Sequence, residues 1–277
     1  MNLTIKSKVK LNNGTEIPWM GLGVYRSPSG PMTQNAVKYA LEAGYIHVDT
    51  AKIYRNEQDV GRAIKNSPIP REDVWVTTKI WNADHGFDRA INACGESLNK
   101  LGFDYIDLLL IHWPVEKLRL DTWRAMETLA DDGKCKSIGV SNYMLRHLEE
   151  LLDNCSIPPV VNQIELSPYN YLYRKEVVDY CRSKNIVLEA YSPLTKGRKL
   201  NDPKLVEIAT IYSKSPAQIL IRWALQQGFI VIPKSTKKDR IQENGNVFDF
   251  EISEEDIFRL ESFDEGLITG WDPTDAP

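Results

Sequence analysis

Short apolar runs alternate with amphipathic stretches along most of this chain. MGLGV, IHVD, VWVTTKI, DYIDLLLIH, CKSIGVSN, VVNQIEL, IVLEAYS and FIVIP read as eight strands. Between them lie helical patterns: TQNAVKYALEAG, EQDVGRAIKN, FDRAINACGESLNKLG, TWRAMETLADDG, LRHLEELLDN, RKEVVDYCRSKN, and the pair DPKLVEIATIYSK and SPAQILIRWALQQG. Several close on Gly or Asn, the residues that tolerate the left-handed turn ending many helices. SEEDIFRLESF adds a last helix, with a Ser cap and acids in its first turn. Ahead of the first strand, VKLNNGTEIP predicts a hairpin with an Asn-Gly turn, placed as a lid outside the main fold.

The strands are rich in Val and Ile and mostly lack strict alternation, which suits a parallel sheet buried on both faces. Eight strand-then-helix units predict an α/β fold, a (β/α)8 TIM barrel with an N-terminal hairpin and a short C-terminal tail. One domain over residues 1–277 is expected, since barrels of this kind reach such lengths undivided. A doubly wound dinucleotide domain has less support: GLGVYR is not GxGxxG, and no Gly-rich turn follows another strand.

Composition narrows the function. The chain has 277 residues, 42% hydrophobic and 26% charged, with net charge -4 and pI about 5.7. No basic stripe points to nucleic acid. No run approaches the ~20 apolar residues of a membrane span, and the N-terminus has no apolar signal core. A cytoplasmic monomer is the expectation. Cys94, Cys135, Cys155 and Cys181 lack CxxC spacing and read as reduced thiols. His47, His85, His112 and His147 show no metal-ligand spacing, so a metal-dependent hydrolase is disfavoured and no metal is expected.

The barrel predicts that reactive groups sit at the carboxyl ends of the strands. Asp49, Lys79 and His112 lie at the ends of strands two, three and four, and Tyr54 lies just beyond Asp49. Singly, each has a plain alternative: a turn cap, a surface ion pair, a core histidine, a packing tyrosine. Together they make a proton relay. Tyr54 is the acid, Lys79 lowers its pKa, Asp49 holds Lys79, and His112 hydrogen-bonds a carbonyl oxygen. The hydride such a reduction needs has no side-chain source, and nicotinamide is the natural donor. Ser141, Asn142 and Gln163 can hydrogen-bond a carboxamide, and Tyr191 can stack on its ring. VIPKSTKKDRIQEN places Lys234, Ser235, Lys237, Lys238 and Arg240 on a loop entering a helix, which suits a phosphate.

GYIHVDTAKIYRNEQDVG, VTTKIW, LLLIHWP, IGVSNY, VNQIELSP, EAYSPL and IPKSTKKDRIQEN together resemble the aldo-keto reductase superfamily, through nearly the whole chain. The short connections look most like its compact branch, with bacterial 2,5-diketo-gluconate reductases and protozoan prostaglandin F synthases. The resemblance implies a barrel binding NADPH in an extended pose, with Asp49, Tyr54, Lys79 and His112 as the acid-base tetrad. It places Ser192 through Leu194 over the pyrophosphate, Lys234, Ser235 and Arg240 at the 2′-phosphate, and Glu243 and Asn244 near adenine. Three positions depart from the pattern: Ile46 for a usual Arg, Ser167 in place of the His of ELHP, and Tyr25 for a frequent Trp. Tyr25, Trp81 and Trp113, with Trp271 from the tail, are expected to wall an open substrate pocket. The expected activity is NADPH-dependent reduction of a broad range of small-molecule aldehydes and ketones. α-Dicarbonyls, diketo-sugar acids and prostaglandin endoperoxide are among the substrates left open. An NADPH-binding sensor barrel is the alternative.

Overall fold

A computed structural model of the chain describes residues 3–277. Two antiparallel strands open it, β1 (Lys8–Lys10) and β2 (Glu16–Pro18), paired Val9 to Ile17. The Asn-Gly turn sits between them, with Gly14 at φ 86°. Asn12 and Asn13 donate to the carbonyls of Pro159 and Lys136, which stand at the amino ends of barrel strands. The hairpin is therefore a lid, over the end opposite the predicted chemistry.

Eight parallel strands follow: β3 (Leu22–Gly23), β4 (His47–Asp49), β5 (Trp75–Ile80), β6 (Ile106–Ile111), β7 (Cys135–Ser141), β8 (Val161–Glu165), β9 (Val187–Tyr191) and β10 (Ile230–Val231). Each neighbours the next in order from β3 to β10. The two edges meet through parallel bridges, Met20 to Val231 and Gly23 to Lys234, and through Gly21 N donating to the Val231 carbonyl at 2.9 Å. Closure explains why β3 and β10 are shorter than their apolar runs: at the seam only a few bonds form. Gly23 permits that seam, because a Cβ there would lie 2.8 Å from the Ile232 carbonyl oxygen.

Helices α1 (Pro31–Glu42), α2 (Glu57–Lys65), α3 (Phe87–Leu101), α4 (Arg119–Asp131), α5 (Leu145–Asn154), α6 (Lys175–Ser183), α7 (Pro203–Ile211) and α8 (Pro216–Gln226) ring the barrel, and α9 (Lys238–Gly245) and α10 (Glu254–Glu261) complete the set. Local chemistry sets their ends. Gly102 stops α3 at φ 69°. Ser215 and Gln218 form a capping box at α8, and Ser253 caps α10 by accepting from Asp256 N. β5 and β6 are buried at every position, as strands covered by helices outside and by barrel filling inside must be. All four cysteines are free thiols, and Cys135 opens β7. No helix among the described residues is long and apolar enough to cross a membrane.

Candidate active site

Asp49 is the last residue of β4, Lys79 lies one short of the end of β5, and His112 follows β6. Tyr54 ends a single 3-10 turn, Lys52–Tyr54, which two devices hold over the rim. Lys52 pairs with Asp84 at 2.9 Å and Glu96 at 3.0 Å. The buried Asn56 accepts from Thr50 Oγ1 at 2.8 Å and donates to the carbonyls of Val24 and Ser27. A single amide thus ties the Tyr54 loop to the loop carrying Tyr25, and the two tyrosine rings lie 5.0 Å apart.

Lys79 is wholly enclosed. Its ammonium donates to Asp49 Oδ1 at 2.7 Å, Asp49 Oδ2 at 2.6 Å and the Thr50 carbonyl at 2.9 Å. All three protons are then committed, and the ammonium stands 5.1 Å from the centre of the Tyr54 ring. This changes one expectation. The Tyr54 hydroxyl is not lowered by Lys79. Burial pushes its pKa well above the usual phenol value, and the Asp49 carboxylate adds to the rise. His112 packs edge-on to Tyr54 at 5.6 Å and to Trp81 at 5.1 Å. Burial, then the Lys79 charge, hold its pKa well below the usual histidine range. At neutral pH the site therefore presents a protonated phenol beside a neutral imidazole.

Behind this pair, Gln163 Nε2 donates to Asp49 Oδ2 at 2.9 Å and to Glu189 Oε1 at 2.7 Å. Ser141 Oγ donates to the Gln163 carbonyl at 2.8 Å. Asn142, at φ 63°, donates to the His112 carbonyl and to Ser141 Oγ, and accepts from the Tyr191 hydroxyl at 2.9 Å. The amide protons of Gln163 and Asn142 and the Ser141 hydroxyl proton are thus spent inside the protein. The free capacity of the clamp is acceptor oxygen, which suits a ligand that donates, as a carboxamide NH2 does. Among the described residues, no donor is recorded at Gln163 Oε1.

Beyond Tyr191 the chain makes a strained loop. Ser192, Thr195 and Lys196 lie at φ 49°, 50° and 53°. A β-branched Thr in that region is an outlier of the kind that clusters at ligand clamps. Leu194 packs its half-buried side chain on the core below. After β10, Lys234 and Arg240 are exposed and Ser235 is buried. Neither Lys234 nor Arg240 has a recorded ion pair among the described residues, although acids outnumber bases in the chain, 38 to 34. Desolvation alone lowers the Lys234 pKa. Unpaired cations beside the amino end of α9, with Glu243 exposed and Asn244 buried further along it, fit a phosphorylated adenosine. The residues present therefore fit NADPH.

The aromatic wall divides in two. Tyr25 and Trp81 flank Tyr54 and His112, whereas Trp113 meets Trp271 of the tail edge-on at 5.8 Å. Two surface depressions of about 480 and 490 Å³ lie elsewhere, beside α8 and under the hairpin, and contain none of these groups. Two positions bonded to rim residues escaped the sequence reading. Glu189 has a visible signal, a lone charge inside the apolar run IVLEAYS. Burial and Asp49 raise its pKa to about 8, against Lys79 and the Gln163 bond. Thr269, which bonds Glu165, has no signal at all.

Comparison with known proteins agrees with this geometry. The model of the aldo/keto reductase family matches residues 19–265. A glyoxal reductase of Bacillus subtilis is 46% identical over 273 residues, 99% of this chain and 98% of that protein. A 9,11-endoperoxide prostaglandin H2 reductase of Trypanosoma cruzi is 47% identical over 268 residues, 96% of this chain and 94% of its own. The crystal structure of a Bombyx mori aldo-keto reductase in complex with NADP superposes with TM-score 0.88 at 38% identity, covering 95% of this chain and 94% of that one.

Proposed function

This chain belongs to the aldo/keto reductase family, and from that premise we propose that it reduces small aldehydes and ketones with Tyr54 as proton donor. It is an NADP-dependent oxidoreductase. The observation that carries the finer reading is the Tyr54 ring packed edge-on to His112 at 5.6 Å at one end of a closed barrel, where burial favours the uncharged form of both.

Bound along the clamp and the cations, NADPH supplies the hydride. Ser141, Asn142 and Gln163 would hold its carboxamide through free oxygens, and Tyr191 would stack on the ring. Lys234, Ser235 and Arg240 would hold the 2′-phosphate, Glu243 and Asn244 the adenine, and Ser192 through Leu194 the pyrophosphate. The substrate oxygen sits between the Tyr54 hydroxyl and His112, both positioned before reaction, so charge developing on it meets donors that need no rearrangement. Tyr54 gives its proton to that oxygen. A high pKa keeps the proton in place until the oxygen becomes more basic than the phenolate. Asp49 and Lys79 form a fixed ion pair beneath, which neutralises the floor of the site and holds Gln163 in register.

Tyr25, Trp81, Trp113 and Trp271 offer flat apolar contact to the rest of the substrate. α-Dicarbonyls and prostaglandin endoperoxide are the first classes to test, given the names of the relatives. The decisive experiment compares purified protein with Tyr54→Phe, using NADPH with an aromatic aldehyde and an α-dicarbonyl. Loss of the proton donor should lower kcat by about 100-fold or more, with NADPH affinity within about twofold. A variant that keeps half the wild-type kcat would remove Tyr54 from the mechanism.

A further inference from the structure

Glu165 closes β8 at the rim where barrel enzymes carry their reactive side chains. It is 4% exposed, and the recorded bonds of its side chain run to the C-terminal tail. Its carboxylate accepts from Thr269 N at 2.9 Å, from the Thr269 hydroxyl and from Gly270 N at 3.3 Å. On the far side of the same segment, Lys196 Nζ donates to the Thr269 carbonyl at 2.8 Å. Gly270 is followed by Trp271, and the residue after that, Asp272, pairs with the buried Arg174 at 2.6 Å. The tail is therefore pinned immediately before and immediately after a single tryptophan. That tryptophan is 68% exposed and stands edge-on to Trp113, beside His112.

We propose that Glu165 is a positioning residue for substrate specificity: it latches Thr269 and Gly270 so that Trp271 is held as a wall for carbonyl substrates bearing an aromatic or flat apolar group. A large exposed ring at the end of a chain would otherwise sample many orientations. Fixing it in advance removes that entropy from the cost of binding. A buried carboxylate is suited to the task because its bonds to two N–H groups and a hydroxyl are charge-assisted, about twice as strong as neutral ones. Small carbonyls that end short of Trp271 gain nothing from the latch. This rests on the carbonyl-reductase reading and extends it to a substrate class.

The test is a double-mutant cycle on Glu165→Gln and Trp271→Ala, with Thr269→Val removing one of the three latch bonds, the hydroxyl, without touching the barrel. Initial rates are taken with NADPH, a naphthaldehyde and methylglyoxal. Glu165→Gln and Trp271→Ala should each raise KM for the naphthaldehyde about tenfold, and Thr269→Val by about threefold, with a much smaller change for methylglyoxal and little change in kcat for either. The Glu165→Gln/Trp271→Ala pair should be no worse than Trp271→Ala alone, because the two residues act as one unit. Additive losses, or equal losses on both substrates, would reduce Glu165 to a stability residue and overturn the proposal. If Glu165→Gln fails to fold, Thr269→Val carries the same cycle. Failure of the unmutated protein to turn over any carbonyl would defeat the functional reading itself, an outcome distinct from a cycle that is additive.

Discussion

Replacing Lys79 by Met tests the electrostatic floor of the site. The Lys79 side chain is 0% exposed and that of Asp49 is 3%. With the ammonium gone, Asp49 keeps, among the described residues, only the Gln163 N–H, at 2.9 Å. Breaking a buried pair by removing one partner leaves an uncompensated charge and costs about 3–5 kcal/mol. An unfolding entropy of about 2.1 cal/mol/K per residue over 277 residues gives roughly 0.6 kcal/mol per degree, so Tm should fall by about 5–9 °C. Circular-dichroism melts at pH 8 and pH 5.5 measure it. The deficit should be smaller at the lower pH, because a carboxylate stranded in low dielectric takes up a proton more readily. Adding Asp49→Asn to Lys79→Met should recover most of the loss, since it removes the stranded charge. A fall of less than about 2 °C in the single variant, or no recovery in the double, would refute the view that Lys79 serves first as the counter-ion of Asp49.

The histidines set a second expectation. His47 is held at about 3, His85 at about 4, and His112 well below its usual value, all chiefly by burial. A group whose folded pKa is depressed below about 6.5 leaves the unfolded chain binding more protons, so these three weaken the fold as pH falls below that value. Glu189, raised to about 8, works in the opposite sense by keeping its proton in the folded state. His147, also lowered chiefly by burial, adds to the histidine side, so stability should fall between pH 6 and 5 by on the order of 3 kcal/mol per pH unit. Urea unfolding at those pH values reads it, and His85→Gln should flatten the slope by about one proton; equal stability at pH 7 and 5 would contradict the burial argument. Cofactor choice follows from the unpaired cations. Lys234→Met and Arg240→Met should each weaken NADPH by about tenfold and leave NADH nearly unchanged, measured by quenching of protein fluorescence; equal effects on both cofactors would remove these residues from the 2′-phosphate.

Much of this protein is legible along the chain because its barrel is made of local signals repeated in order. Each strand is an apolar run, α3 and α5 fall on their amphipathic patterns, and Gly102, Ser215 and Ser253 end or begin helices by chemistry that needs no distant partner. Once eight strands close in sequence order, the rim positions of Asp49, Lys79 and His112 follow from where each run stops. What a linear reading could not supply is how deeply the charges lie. The Asp49–Lys79 pair is already legible in the sequence, but the Tyr54 phenol that it predicts to be lowered is raised by burial in the folded chain. The Gln163 bridge joins positions 114 residues apart, and the Glu165 latch joins positions 104 apart. Such contacts depend on the curvature of the barrel and on how deeply each group lies below solvent. Periodicity carries neither quantity, so the elements and their order belong to the sequence, and the electrostatics of the site to the tertiary structure.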